Sequence, residues 1–331
     1  MKKCGALNNW HYSKTPFSCA AERFKRELSS LGSYLLKQAA AFDREVRDVA
    51  KEAIAPRGKY IRPLLVFSAA TGERQKGSLV RRAAIAELVH LSTLIHDDVI
   101  DRADMRRNRD TAFKKYGAKT AVLLGDAIFA HMMTLAFEEN SMDVLEKTAS
   151  CVRSICSGEI RQTLADNTKI VPRKKYYDVA YGKTAALFEL SCRLGASCAD
   201  APKGWEDAAA ECGKQMGIAY QIYDDLCDWF MSESDAGKTL GTDLVSGKQT
   251  YPLIALLEKL PKKKSEALAK NLPTQSPEKI AEMMLELDIP GDCAREFLRR
   301  ISLAEKAISK FPETRENLMR FCSEMRGLNR G

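Results

Sequence analysis

The sequence predicts one all-α domain, and two observations carry that prediction. Helical periodicity is nearly continuous, while strand-like alternation nowhere holds for more than a few residues. The interruptions are short, and neither a low-complexity linker nor a charge-shifted half divides the chain.

Residues 1–20 read as a flexible tail and 21–331 as the domain. Helices are expected over 20–52 and, after Pro56-Arg57-Gly58, over 60–71. Thr71-Gly72 closes that segment, and 78–104, 117–138 and 142–166 follow. Val171-Pro172 precedes a helix at 174–199, and Ala201-Pro202 precedes one at 204–232. Shorter helices are expected at 248–259, 263–271 and 276–287, with a last one over 291–308 after Asp288-Ile289-Pro290. The stretches 121–135 and 184–199 are apolar on more than one face, which suits the middle of a large bundle or a contact with a second subunit.

With 331 residues, 45% of them hydrophobic, the chain has material for a substantial core. No apolar run approaches the ~20 residues needed to cross a bilayer. Residues 1–24 lack the apolar stretch of a signal peptide, so a cytoplasmic location is expected. Ten cysteines contain no Cys-x-x-Cys pair. Cys151, Cys156, Cys192, Cys198, Cys212 and Cys227 lie in apolar helical sequence and read as buried free thiols, not a zinc site. A net charge of +8 admits nucleic acid, an anionic membrane surface or an anionic small substrate. The runs Lys262-Lys263-Lys264 and Arg173-Lys174-Lys175 lack interleaved aromatics and read as solvated turns, which argues against nucleic acid.

One internal echo stands out. Residues 94–101 (Leu-Ile-His-Asp-Asp-Val-Ile-Asp) and 221–228 (Gln-Ile-Tyr-Asp-Asp-Leu-Cys-Asp) share an Asp-Asp-x-x-Asp form. On a helix this spacing stacks Asp97 over Asp101 and Asp224 over Asp228, with Asp98 and Asp225 beside them. Three like charges packed so closely destabilise a bare helix end, and a cation removes the penalty. One copy alone reads as a solvated helix end. Two copies embedded in apolar sequence are costly unless they hold something, and carboxylate oxygens suit Mg²⁺ shared with substrate phosphates. Basic residues fitted to a diphosphate lie nearby: Lys59 and Arg62, Arg106, Arg107 and Arg109, Lys183, Lys238 and Lys248. Gly182-Lys183-Thr184 and Gly237-Lys238-Thr239 each mimic the end of a P-loop. Tyr177 and Ser232 occupy the position of the required upstream glycine, which excludes that reading.

The sequence resembles the trans-isoprenyl diphosphate synthases, the polyprenyl synthetase family, over roughly residues 20–310. The motifs run in family order: Gly58-Lys59-x-x-Arg62-Pro63, His90 through Arg107, Gly182-Lys183-Thr184-Ala185, then the segment 221–228. Gly237 to Leu244 and Gly247 to Ile254 complete the set. The resemblance implies antiparallel helices around a deep central cavity, and a homodimer. It implies that Asp97, Asp101 and Asp224 hold three Mg²⁺ on an allylic diphosphate, with Asp98, Asp225 and Asp228 supporting. Lys59, Arg62, His90 and Arg107 would grip isopentenyl diphosphate. Arg106, Lys183, Lys238 and Lys248 would face the allylic diphosphate, and Thr184 and Gln221 the developing cation. Asn108, Asp110, Cys227 and Trp229 depart from the family's usual residues without removing a charged ligand.

Several of these residues also have plainer readings. His90 alone reads as a satisfied core histidine, His96 as a neighbour of the aspartates, Gln221 as a helix-to-helix bonder and Lys248 as a surface lysine. Phe129, Met132 and Met133 read as core packing. One helical turn rises about 5.4 Å, close to one isoprene unit, so a bulky residue one turn before Asp97 would stop a growing chain. Ser92 and Thr93 are small, which predicts a medium or long product, with Phe129, Met133 or Phe137 as candidate floors. Within the same reaction the alternative is a short-chain (geranylgeranyl or farnesyl) diphosphate synthase. Outside it, a class I terpene cyclase is the first alternative, disfavoured by the intact Lys59/Arg62/Arg107 set. A non-catalytic subunit of a heteromeric synthase is the second, disfavoured by two complete acidic motifs. At most a peripheral membrane contact, through the product, is expected.

Overall fold

The computed structural model describes residues 17–55, 58–71, 76–106, 109–164, 168–197, 201–231, 244 and 247–329. The architecture is all-α. Helices α1 (Ser18–Arg23) and α2 (Lys25–Gln38) are followed by a 3₁₀ turn at Ala39–Ala41 and by α3 (Arg44–Ile54). The single helix expected over 20–52 is therefore broken. Phe42 and Asp43 adopt extended backbone with ψ near 150°, and neither a proline nor a glycine marks the site. Part of the expected tail is also docked. Phe17 is buried and stacks on Phe321, with ring centroids 4.5 Å apart.

Helix α4 (Ile61–Ala69) is almost wholly buried, and α5 (Lys76–Ile100) packs alongside it. A two-stranded antiparallel hairpin, β1 (Met105–Arg106) and β2 (Arg109–Asp110), links α5 to α6 (Ala112–Phe137). Its pairing is too short for sequence alternation to reveal. Thr111 secures the exit from the hairpin: its hydroxyl donates to Ala103 O at 2.7 Å and accepts from the Lys114 N–H. Helix α6 starts before its expected boundary, with a kink at Gly117 (φ 79°).

Contrary to expectation, α6 is long and apolar enough to cross a membrane by length and composition. It is nevertheless a core element along one side, where Ala121, Leu124, Ile128, Met132, Leu135 and Ala136 are buried. The opposite side exposes Leu123 and Phe137, fourteen residues apart on one stripe.

Helix α7 (Met142–Thr163) leads to α8 (Arg173–Ala180), a π-helical turn at Tyr181–Ala185 and α9 (Ala186–Ala196). Helix α10 (Trp205–Phe230) packs extensively against α9. Its Trp205 Nε1 donates to Ala69 O at 2.9 Å and so anchors the start of α10 to the end of α4. Beyond it lie α11 (Tyr251–Lys259), α12 (Lys262–Lys270), α13 (Pro277–Glu286) and α14 (Ile289–Ile308).

Helix α15 (Glu316–Arg326) was not expected. Its charged residues dilute the apolar signal, yet Leu318, Phe321, Cys322 and Met325 are fully buried against α4 and the Phe17 region. The lysine run at 262–264 and the Arg173-Lys174-Lys175 run form helical first turns instead of loops. Cys151, Cys192 and Cys212 are buried free thiols as expected, whereas Cys156 is exposed; Cys198 lies outside the described residues.

Candidate active site

The first acidic segment sits at the C-terminal end of α5. That helix stops where Arg102 turns left-handed (φ 51°), after Asp101 N–H has bonded back to Asp97 O. Asp98 is 5% exposed. Nε and Nη2 of Arg106, presented by β1, both stand 2.7 Å from its Oδ1. Burial pushes the Asp98 carboxyl up from its ordinary value, and the guanidinium pulls it back only in part. Among the described residues no cation stands as close to Asp97. Burial, opposed by Lys183 and reinforced by Glu159 of α7, pushes its carboxyl up to about 6.

The second segment lies in the last turns of α10. Asp225 is also 5% exposed, and three donors among the described residues converge on it. The Tyr176 hydroxyl donates to Oδ2 at 2.7 Å, the Tyr251 N–H to the same oxygen at 3.2 Å, and Gln221 Nε2 to Oδ1 at 2.7 Å. The Thr184 hydroxyl donates to the Gln221 carbonyl oxygen, which fixes the amide orientation. In both segments, then, the middle aspartate is buried and engaged by protein donors. The flanking Asp97, Asp224 and Asp228 are half-buried and Asp101 is exposed.

Two lysines connect the segments. Lys183, on the π turn, is exposed and acts electrostatically on Asp97. Lys248, just before α11, places Nζ 3.4 Å from Asp101 Oδ1. Lys183 and Lys248 line one small cavity of about 50 Å³ with Tyr176, Gln221 and Asp225. The π turn is seated by backbone contact: a Cβ at Gly182 would meet Gly158 Cα of α7 at 2.8 Å.

The remaining expected residues are distributed around this centre. Exposed Lys59 and half-buried Arg62 flank the start of α4, where Tyr60 is left-handed (φ 50°). The Arg62 guanidinium lies 5.3 Å from the Phe188 ring centroid. His90 lines a cavity of about 430 Å³ that follows the Glu87–Leu91–Leu94–Asp98 face of α5. Ser92 is buried and Thr93 donates to His90 O at 2.9 Å, and neither lines that cavity. Phe129 and Met133 are half-buried in core packing, and Phe137 is 68% exposed, which removes it as a floor within one chain. His96 faces α6, with Nε2 3.2 Å from Val122 O and from Asp126 Oδ1. Arg107 and Lys238 lie outside the described residues, together with Asn108 and 232–243.

These donors fit Mg²⁺ in a particular way. Among the described residues no three His, Cys, Asp or Glu side chains enclose a point by themselves. A desolvated Asp97 opposed by Glu159 and Asp101 is a carboxylate that a cation relieves. Such a set suits an ion that keeps waters and takes its remaining oxygens from a substrate phosphate. Tyr176, Glu159 and the Tyr251 amide were not anticipated; a tyrosine beside Tyr177 on an amphipathic helix gives no sequence signal of its own.

The polyprenyl synthetase family profile matches residues 43–287. The octaprenyl diphosphate synthase of Escherichia coli (strain K12) is 32% identical over 230 residues, 69% of this chain and 71% of that protein. The all-trans-nonaprenyl-diphosphate synthase (geranyl-diphosphate specific) of Rhodobacter capsulatus is 30% identical over 274 residues, covering 81% and 84% of the two chains. A solved decaprenyl diphosphate synthase from Rhodobacter capsulatus superimposes with a TM-score of 0.83 at 28% identity, over 96% of this chain and 100% of that one. With its paired acidic segments, its bridging lysines and these relatives, the chain belongs to the polyprenyl synthetase family.

Proposed function

We propose that this prenyltransferase condenses isopentenyl diphosphate with an allylic diphosphate and repeats the step to a trans-polyprenyl diphosphate of medium or long chain. The observation that carries this reading is the approach of Lys183 and Lys248, from separate segments, to Asp97 and Asp101 beside Gln221 and Asp225. The relatives named octaprenyl and nonaprenyl diphosphate synthase support the product range.

Asp97, Asp101 and Asp224 would hold Mg²⁺, three ions by expectation, with Asp228 beside them. When bound, Mg²⁺ neutralises the allylic diphosphate and so makes it a competent leaving group. Lys183 and Lys248 add fixed positive charge on the same side, which favours departure of the diphosphate anion with the C–O electron pair. The C=C bond of isopentenyl diphosphate then supplies two electrons for the new C–C bond. A proton leaves to the departing diphosphate, so no dedicated side-chain base is required. Lys59 and Arg62 at the start of α4, with His90 and Arg107, would hold isopentenyl diphosphate. Asp98 and Asp225 contribute through Arg106 and Tyr176.

We further propose a homodimer, supported by the exposed Leu123 and Phe137 on the outward side of α6. A cytoplasmic location with at most a peripheral membrane contact fits the burial of Ile128 and Met132 on the same helix. Omission of each substrate tests the reaction. Product should form only when the purified chain receives both diphosphates and Mg²⁺. Hydrocarbon release from the allylic diphosphate alone would make it a cyclase, and activity only with another polypeptide would make it a partner-dependent subunit.

A further inference from the structure

We infer that Tyr176, outside every recognised motif, is a positioning residue: by fixing the Asp225 carboxylate it sets Lys183 and Lys248 against the first acidic segment. The inference rests on the prenyltransferase reading and deepens it.

Tyr176 is 6% exposed, and its hydroxyl meets Asp225 Oδ2 at 2.7 Å. It lies earlier on the helical segment that carries Lys183 and Thr184. Thr184 reaches the other oxygen of the same carboxylate through Gln221, with Gln221 Nε2 2.7 Å from Oδ1. Both ends of the segment bearing Lys183 are therefore tied to one buried group. The third donor, the Tyr251 N–H at 3.2 Å, directly follows Lys248-Gln249-Thr250. Gln249 extends the tie: its side chain accepts from Val171 N–H and donates to Lys169 O, just upstream of α8. Two chain segments, 169–184 and 248–251, thus take their register from Asp225, and each carries one of the lysines that act on Asp97 and Asp101.

A buried carboxylate requires its donors, and only the tyrosine hydroxyl can be deleted with one atom. A catalytic cation displaced by even a fraction of an ångström loses its fit to the diphosphate it neutralises.

The test is Tyr176→Phe in the full chain. The Gln221 and Tyr251 donors remain, so the variant should fold. Its KM for the allylic diphosphate should rise about tenfold, the scale of one charge-assisted hydrogen bond, with the KM for isopentenyl diphosphate unchanged. Adding Lys183→Gln should cost the double variant no more than Lys183→Gln costs alone. Equal shifts in both KM values, additive losses, or unaltered kinetics would each overturn the inference. Should Tyr176→Phe fail to fold, Asp225→Asn takes its place under the same criteria. Calorimetry with a non-reactive allylic diphosphate analogue separates this claim from the one beneath it. Wild type that binds the analogue but forms no product contradicts the prenyltransferase reading. Active wild type beside a variant that binds equally tightly contradicts only the role of Tyr176.

Discussion

Lys248 Nζ stands 3.4 Å from Asp101 Oδ1, joining the segment that leads into α11 to the end of the first acidic segment. Asp101 is too exposed for the pair to add much stability, about 0–1 kcal/mol. Lys248→Met should therefore leave the melting temperature nearly unchanged. It should instead raise the KM for the allylic diphosphate by roughly tenfold, as expected for one lost charge-assisted contact. A melting temperature that falls while the kinetics stay constant would reassign this lysine to the fold.

Asp97 is half-buried and repelled by Glu159 and Asp101, so its charge disfavours the metal-free fold. Asp97→Asn should keep or raise the melting temperature without divalent cations. Turnover should fall by roughly a hundredfold or more, the scale of losing one electrostatic contact in a transition state. Differential scanning fluorimetry with Mg²⁺ and inorganic pyrophosphate gives the complementary view: wild type gains thermal stability and the variant does not.

Much of this centre was legible, and the reason is chemical. Repeated carboxylates in apolar sequence are expensive, so Asp97 and Asp224 announce themselves. Arg106 is expected as a substrate contact, and its guanidinium also holds Asp98 through a hairpin too short for periodicity to show. Tyr176 and Tyr177 look alike in sequence, while only one of them reaches Asp225. The break at Phe42 and Asp43 has no local marker, and α15 is recognisable only once Phe17 and Phe321 are stacked.

Away from the centre, Glu296 on α14 accepts from Arg299, Arg300 and Tyr177 at 2.6–2.8 Å. Burial raises its carboxyl, but these donors outweigh burial and bring it down to about 2. The folded state thus holds the proton less tightly than the unfolded chain, in which a glutamate titrates near pH 4.3. The stabilisation is complete above that pH and disappears as pH falls toward about 2. Glu296→Gln should cost about 2 kcal/mol in urea unfolding at pH 7. Near pH 2 it should cost almost nothing, and an equal cost at both pH values would contradict the assignment.

Gly182 and Gly158 meet backbone to backbone, leaving no flexible side chain to give way. Gly182→Ala should destabilise by about 1–3 kcal/mol and move the π turn that carries Lys183. Denaturant unfolding would read the first effect and the allylic KM the second. A variant as stable and as active as wild type would show that the contact is loose.

The central claim is that one chain holds both diphosphates and lengthens a polyprenyl tail. Chromatography of dephosphorylated products, formed from labelled isopentenyl diphosphate, an allylic primer and Mg²⁺ by the purified chain, tests it most directly. The account predicts a ladder of trans-polyprenols ending in a medium- or long-chain product. A single condensation product, or label that never leaves isopentenyl diphosphate, would contradict it.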